Sequence, residues 1–180
     1  MLKSKFLKAW IPLVILSTIF FGTLYLTLQQ SYRLTSNDPQ IQVAEDLKEV
    51  LQKGTSAQEV VGLEQIDIAK SLSSFIIIFD DNGKPVASQA VLDGRIPTPP
   101  DGVFENTKKK GEHRVTWEPK KGVRIASVLV RFEGSKPGYI LTGRSLREVE
   151  SRISGLNLQI GIPFAASLIL TLIAIIILGV

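Results

Sequence analysis

Residues Ser74–Ala90 read SFIIIFDDNGKPVASQA, and every other element of the chain is placed by what this segment must be. Phe75, Ile76, Ile77, Ile78 and Phe79 form a β-branched and aromatic run too short for a typical helix and bounded by polar turn residues, the pattern of a buried strand. Asn82-Gly83, inside Asp81-Asn82-Gly83-Lys84, supplies two residues that tolerate positive φ, so a tight type I′ hairpin connection is expected. A second strand follows from Pro85 to Gln89. An isolated two-stranded hairpin is marginal in water, so further strands must pair with it downstream and a helix must cover it.

On either side of this hairpin, the apolar residues concentrate at the two ends of a 180-residue chain that is 44% hydrophobic and 21% charged, with a formal net charge of +4. Ala9 to Leu28 and Ile153 to Val180 contain no charged residue. Each run is long enough to cross about 30 Å of hydrocarbon as a helix. A first run of about 20 uncharged residues exceeds the roughly 7 to 15 of a signal-peptide core, and no small-x-small cleavage site follows Leu28, so an uncleaved anchor is expected. Lys3, Lys5 and Lys8 hold the N-terminus in the cytoplasm by the positive-inside rule, which exports Gln29 to Arg152. The expected layout is a basic cytoplasmic segment at 1–8, membrane helices at 9–28 and 158–180, an exported domain at 29–143 and a juxtamembrane helix at 144–157.

The chain has no cysteine. That fits an exported domain needing no disulfide and excludes thiolate metal sites or a cysteine nucleophile. The basic residues are scattered among acidic ones, with Lys108-Lys109-Lys110 as the only run, and read as solvated surface rather than a nucleic-acid footprint.

Within the exported segment, Asn37-Asp38-Pro39 opens a helix whose apolar face is Val43, Leu47, Val50 and Leu51, with Gly54 as its stop. Pro12 is expected near the start of the first membrane helix, where it costs little. Ser56-Ala57-Gln58-Glu59 is a capping box opening a shorter helix, and a helical turn is expected around Ala69 to Leu72. Asp93 to Asn106, with Pro97, Pro99, Pro100, Gly94 and Gly102, reads as a long loop too broken for regular structure. His113 to Trp117, Val123 to Phe132 and Tyr139 to Thr142 complete five strands. Short connections make the sheet antiparallel. The expected fold class is α+β, with two transmembrane helices flanking N-terminal helices and a five-stranded antiparallel sheet.

From Ser145 to Ile160 one unbroken helix is expected. Leu146, Val149, Ile153, Leu156 and Ile160 step by three and four as a heptad seam running into the second apolar stretch. Such a helix would transmit a displacement of the sheet to the bilayer. The same seam also suits a helix that merely needs an apolar face, or a contact with a second copy.

The order of elements, with FIIIFDDNGKPVAS, GVRIASVLVRF and GYILTGRSLREVE, resembles the extracytoplasmic PAS-like or Cache-type sensor region of bacterial two-span receptors and sensor histidine kinases. In domains of that type a ligand sits between the sheet and the long connecting segment. The resemblance therefore implies a pocket of Arg95, Trp117, Arg124 and Tyr139, the arginines suited to a carboxylate or phosphate and the aromatics to apolar walls. The alternative is that Trp117 and Tyr139 are core and both arginines face water. Receptors of this kind carry a kinase, cyclase or methyl-accepting module after the second span, and this sequence contains none.

Catalytic chemistry is not expected. His113 is the only histidine, and no nucleophile elbow, metal pair or P-loop occurs. Asp80-Asp81 is better explained as turn chemistry than as a metal pair. No catalytic residue, metal or cofactor is therefore expected. The partners expected are the lipid bilayer, a small-molecule ligand, and a second copy or a membrane signalling protein, but not nucleic acid. Two functions compete: a membrane-anchored sensory or regulatory domain, and a structural docking subunit of an envelope complex with no ligand.

Overall fold

The strand formed by Phe75–Asp80 is paired on both sides, and the segment between the two apolar stretches wraps around it. A computed structural model describes residues 2–35, 38–134 and 136–178. In chain order the elements are α1 (Leu2–Thr35), α2 (Asp38–Gln52), α3 (Ala57–Val61), β1 (Ile66–Asp67), β2 (Phe75–Asp80), β3 (Pro85–Ser88), β4 (Ala90–Val91), α4 (Val103–Lys110), β5 (Glu112–Lys120), β6 (Val123–Phe132), β7 (Gly138–Ser145) and α5 (Arg147–Leu178). They form two units: Leu34–Glu148, and Met1–Arg33 together with Val149–Val180. Asn37, expected as part of the α2 start, and the middle of the turn at 134–137 lie outside the described residues.

The fold is α+β, and its five-stranded sheet is antiparallel throughout in the order β3-β2-β7-β6-β5. The β2–β7 ladder runs from Phe75 opposite Gly143 to Asp80 opposite Gly138. Gly143 has a packing role, because a Cβ there would sit 2.5 Å from the Phe75 ring. Alternation along each strand divides the side chains between two faces. On one, Phe75, Ile77, Phe79, Trp117, Ile125 and Tyr139 join a core closed by the β1, β4 and α4 segments. On the other, α2 and α3 bring Leu51 and Val61 onto Ile78, Phe132 and Ile140, and Ala44 onto Val128 and Val130. The hydroxyl of Thr142 donates to the carbonyl of Gln40 at 2.7 Å, fastening α2 to the sheet over 102 residues of sequence.

Several expectations change. The hairpin turn is not type I′. Gly83 has φ 76, but Asn82 is not among the positive-φ residues. The Gly83 N–H donates to the Asp80 carbonyl at 3.0 Å, and the Asp80 N–H donates to Lys84 O at 2.9 Å. This is a three-residue loop, a type I turn closed by a left-handed glycine. The cause is the Asp80 carboxylate, which accepts from the N–H groups of Asn82 at 3.0 Å and Lys84 at 2.8 Å and holds the intervening residues in the right-handed region.

Residues Val103 to Asn106 are helical rather than loop, as the first turns of α4. The preceding prolines and glycines hid a helix of only 8 residues, whose Glu105 near its start and Lys108, Lys109 and Lys110 at its end complement the helix dipole. The parallel pairing of β1 with β4, Ile66 opposite Ala90, has no counterpart in the sequence reading.

Arg144 and Ser145 belong to β7, opposite Ala126 and Ile125. The helix therefore starts later than expected, at Arg147, and Leu146 sits at the corner, its N–H donating to Arg124 O at 2.9 Å. Ser145 Oγ accepts from the Arg147 N–H at 3.3 Å. The Arg147 guanidinium donates to Ala69 O at 3.2 Å and Lys70 O at 2.7 Å, pinning the helix start to the turn after β1.

In the other unit, α1 runs past Leu28 to Thr35, and Pro12 lies inside it rather than in its first turn. Both α1 and α5 are long and apolar enough to cross a membrane, by length and composition. They touch through Phe21 and Phe164, ring centroids 5.7 Å apart. Along α5, Val149, Leu156 and Ile160 are buried and Ile153 is half-buried within the single chain.

Candidate functional site

The register of β5 on β6 places Trp117 opposite Ile125, so its side chain enters the core face. Its indole N–H donates to Ser127 Oγ at 3.0 Å, and that hydroxyl donates to Val115 O at 3.2 Å. The buried polar edge of the ring is thereby satisfied. Tyr139 is 2% exposed on the same face. Between the sheet and the connecting segment, Phe104 of α4 packs edge-on against Phe79 and Tyr139, with centroids 5.1 and 5.2 Å apart. The space where a ligand was expected is filled by these rings.

The four expected residues do not converge. Trp117 and Tyr139 are core. Arg124 precedes Ile125 on β6, so alternation sends it to the opposite face, where it is exposed. Arg95 is exposed beyond β4, in a turn closed by reciprocal backbone hydrogen bonds with Leu92 at 2.8 and 3.0 Å.

A charged cluster that sequence reading missed joins the hairpin tip to β6. Arg131 Nη1 donates to the Asp81 carboxylate at 2.5 Å and to the Tyr139 hydroxyl at 3.0 Å, and Arg131 Nε donates to Glu133 at 2.7 Å. The guanidinium carbon lies 5.4 Å from the centre of the Tyr139 ring. Lys108 at the end of α4 adds its ammonium 3.7 Å from Asp81. The hydrogen bond from Arg131 holds the Asp81 carboxyl below its ordinary range, with the charges of Arg131 and Lys108 adding to it. Glu133 and Asp81 in turn hold the Arg131 guanidinium above its own. The available signal was parity: Arg131 occupies an inward position of β6, two after Leu129, where an unpartnered charge would be costly.

The clefts lie elsewhere. One of about 300 Å³ opens between the α2–α3 corner and the sheet, with Leu51, Val86 and Phe132 as apolar wall and Ser56, Asp80 and Lys136 as polar groups. Asp80 is engaged by its own turn, and Ser56 and Glu59 close a reciprocal capping box at 3.3 and 3.2 Å. A more open cleft of about 500 Å³ includes Asp67, Lys70, Asp93 and Lys120. There Lys120 Nζ bridges both oxygens of Asp93 at 2.8 and 2.9 Å. The Ala69 N–H and the Lys70 ammonium hold the Asp67 carboxyl below its usual range. Among the described residues, no group of three or more His, Asp or Glu side chains is placed to hold a metal ion. His113 is half-buried on β5, opposite Leu129.

Compared with protein families and with curated proteins, the chain has no match in either.

Proposed function

We propose that the chain is a membrane-anchored extracytoplasmic sensory or regulatory protein that acts through a membrane partner or a cytoplasmic output module. The observation that carries this reading is α5. It follows the last strand of the sheet after a single residue and runs without interruption from Arg147 to Leu178, through the second apolar stretch. A change in the sheet is thereby linked by chain connectivity to a helix fit to span a bilayer. The PAS-like or Cache-type resemblance is supported by the layering, with helices on one face of a five-stranded antiparallel sheet and the long connecting segment over the other.

A second reading is favoured by one specific observation. Phe104, Trp117 and Tyr139 fill the face over which a ligand would be expected. A docking subunit of an envelope complex needs no such pocket.

Thermal unfolding of the full chain in detergent, screened against small carboxylic acids and amino acids, separates the two. A compound present at 100 times its Kd should add about 2.7 kcal/mol to stability and raise the melting temperature saturably. No shift across the screen would favour docking. A reporter that is active only in the cytoplasm, fused at Asn106, tests the export of Gln29 to Arg152: activity there would overturn that topology.

A further inference from the structure

We propose that the free edge of β5 pairs antiparallel with β5 of a second copy of this chain, about a twofold axis at Thr116. Strand β5 is the last in the sheet order, and Arg114, Thr116 and Glu118 along it are exposed. The Gly111 carbonyl accepts from the Arg131 N–H at 2.9 Å, so the backbone at residue 111 points toward β6. Alternation along an antiparallel ladder then turns His113, Val115 and Trp117 toward β6 and leaves Glu112, Arg114, Thr116 and Glu118 with N–H and C=O groups aimed outward. The carbonyl of Val115, which accepts the Ser127 hydroxyl at 3.2 Å, obeys this parity.

An exposed edge of this kind is a template for strand addition unless its side chains forbid it. Here the side chains are self-complementary. With Thr116 opposite its own symmetry mate, Arg114, which donates to Glu112 of its own strand at 2.6 Å, faces Glu118 of the second copy. This pair of opposite charges occurs twice across the axis. Charges placed to block self-pairing would meet their like. Val115 falls opposite Trp117, an apolar and aromatic pair of the kind that stabilises neighbouring strands. The ladder with β6 is irregular between Trp117 and Lys120, so the pairing is carried by positions 114 to 118. Pro119 lies beyond them, and its missing donor costs the new ladder nothing. The outward parity makes Arg114, Thr116 and Glu118 the hydrogen-bonded positions of the joined sheet. A single surface serves both copies, as a twofold interface requires. The pairing stands whether or not the protein binds a small molecule.

The chain contains no cysteine, so single cysteines report the register without background. The full chain is prepared in mild detergent as Thr116→Cys, as Arg114→Cys, and as co-expressed, differently tagged Arg114→Cys and Glu118→Cys, and each is exposed to a mild oxidant. On the axis, the two thiols of a Thr116→Cys pair fall within disulfide reach, whereas those of an Arg114→Cys pair lie roughly 14 Å apart at about 3.4 Å per residue. Thr116→Cys should therefore form on the order of tenfold more disulfide dimer than Arg114→Cys, because Cα atoms beyond about 7 Å cannot be bridged. The mixed 114 and 118 pair should link the two tags. A dimer through another face, or no dimer, would leave Thr116→Cys no more cross-linked than Arg114→Cys, and either result overturns the proposal. Thr116 is exposed, so its substitution leaves the core intact. As a second measurement without cysteine, Arg114→Glu should lower the dimer fraction and Arg114→Glu with Glu118→Arg should restore it. A dimer indifferent to Arg114→Glu also overturns the pairing.

Discussion

The ring of Phe104 lies 3.3 Å from the position a Cβ on Gly83 would occupy, so the hairpin turn and the α4 helix are packed against each other at a residue that has no side chain. Gly83 also has φ 76, a region that side chains rarely adopt. Both constraints act at once. Gly83→Val should lower the stability of the domain by at least roughly 1–2 kcal/mol from the backbone alone, more than Gly83→Ala. Thermal unfolding of the two variants checks it, and a melting temperature equal to the parent's for valine would remove both the turn and the packing from the account.

Phe104 packs α4 onto the sheet beside the buried Val103, through its edge contacts with Phe79 and Tyr139. Phe104→Ala should cost about 2–3 kcal/mol, less than a fully buried phenylalanine because the ring is only partly buried. Amide hydrogen exchange gives the local reading: amides of Val103–Lys110 should exchange faster while those of β2 and β7 keep their protection. Uniform acceleration across the sheet would mean that α4 is not a separately opening element.

Asp81 couples the hairpin tip to Arg131, and its carboxyl is held below the ordinary range by the hydrogen bond from that arginine. A depressed carboxylate contributes stability that is fully present above its unfolded pKa of about 3.9 and is lost as the pH falls through the lower folded value. Asp81→Asn should therefore be less stable than the parent at neutral pH, and the gap should close in acid. Denaturant unfolding at a series of pH values tests the sign, and a gap that widens in acid would exclude the pairing.

Thr142 is buried and donates to the Gln40 carbonyl. Thr142→Val preserves shape and removes this hydrogen bond, while the Gln40 carbonyl keeps its place in the α2 ladder, so the cost should be about 0.5–1.5 kcal/mol. The equilibrium midpoint in urea should fall with the slope unchanged. A midpoint unmoved by the substitution would mean that this hydrogen bond does not hold α2 on the sheet.

Gly155 lies inside α5 with open space where a Cβ would project. Gly155→Ala should stabilise the helix by up to about 1 kcal/mol, seen as a higher melting temperature of the full chain in detergent. A lower one would show that a neighbouring surface approaches the helix at that residue.

The features legible from the residues alone were local and periodic. The run Phe75–Phe79 is a strand because β-branched and aromatic residues between turn formers leave little else, and Ser56 and Glu59 cap a helix because their side chains satisfy backbone groups three residues away. The two apolar stretches are helices long enough to cross a membrane for the same reason of composition. Whatever depended on residues far apart in the chain was settled by packing. Asn82-Gly83 announced a turn, but the carboxylate of Asp80 chose its type. Trp117 and Tyr139 were legible as large buried or ligand-facing rings, and the docking of Phe104 makes them part of a core. Arg124 was placed with them by the resemblance, and the β6 register turned it to the opposite face. Arg131 and Asp81 are 50 residues apart and meet because two ladders bring the hairpin tip beside the end of β6. Periodicity specifies which face a residue occupies within its own strand or helix, whereas strand register and inter-layer packing specify what that face meets.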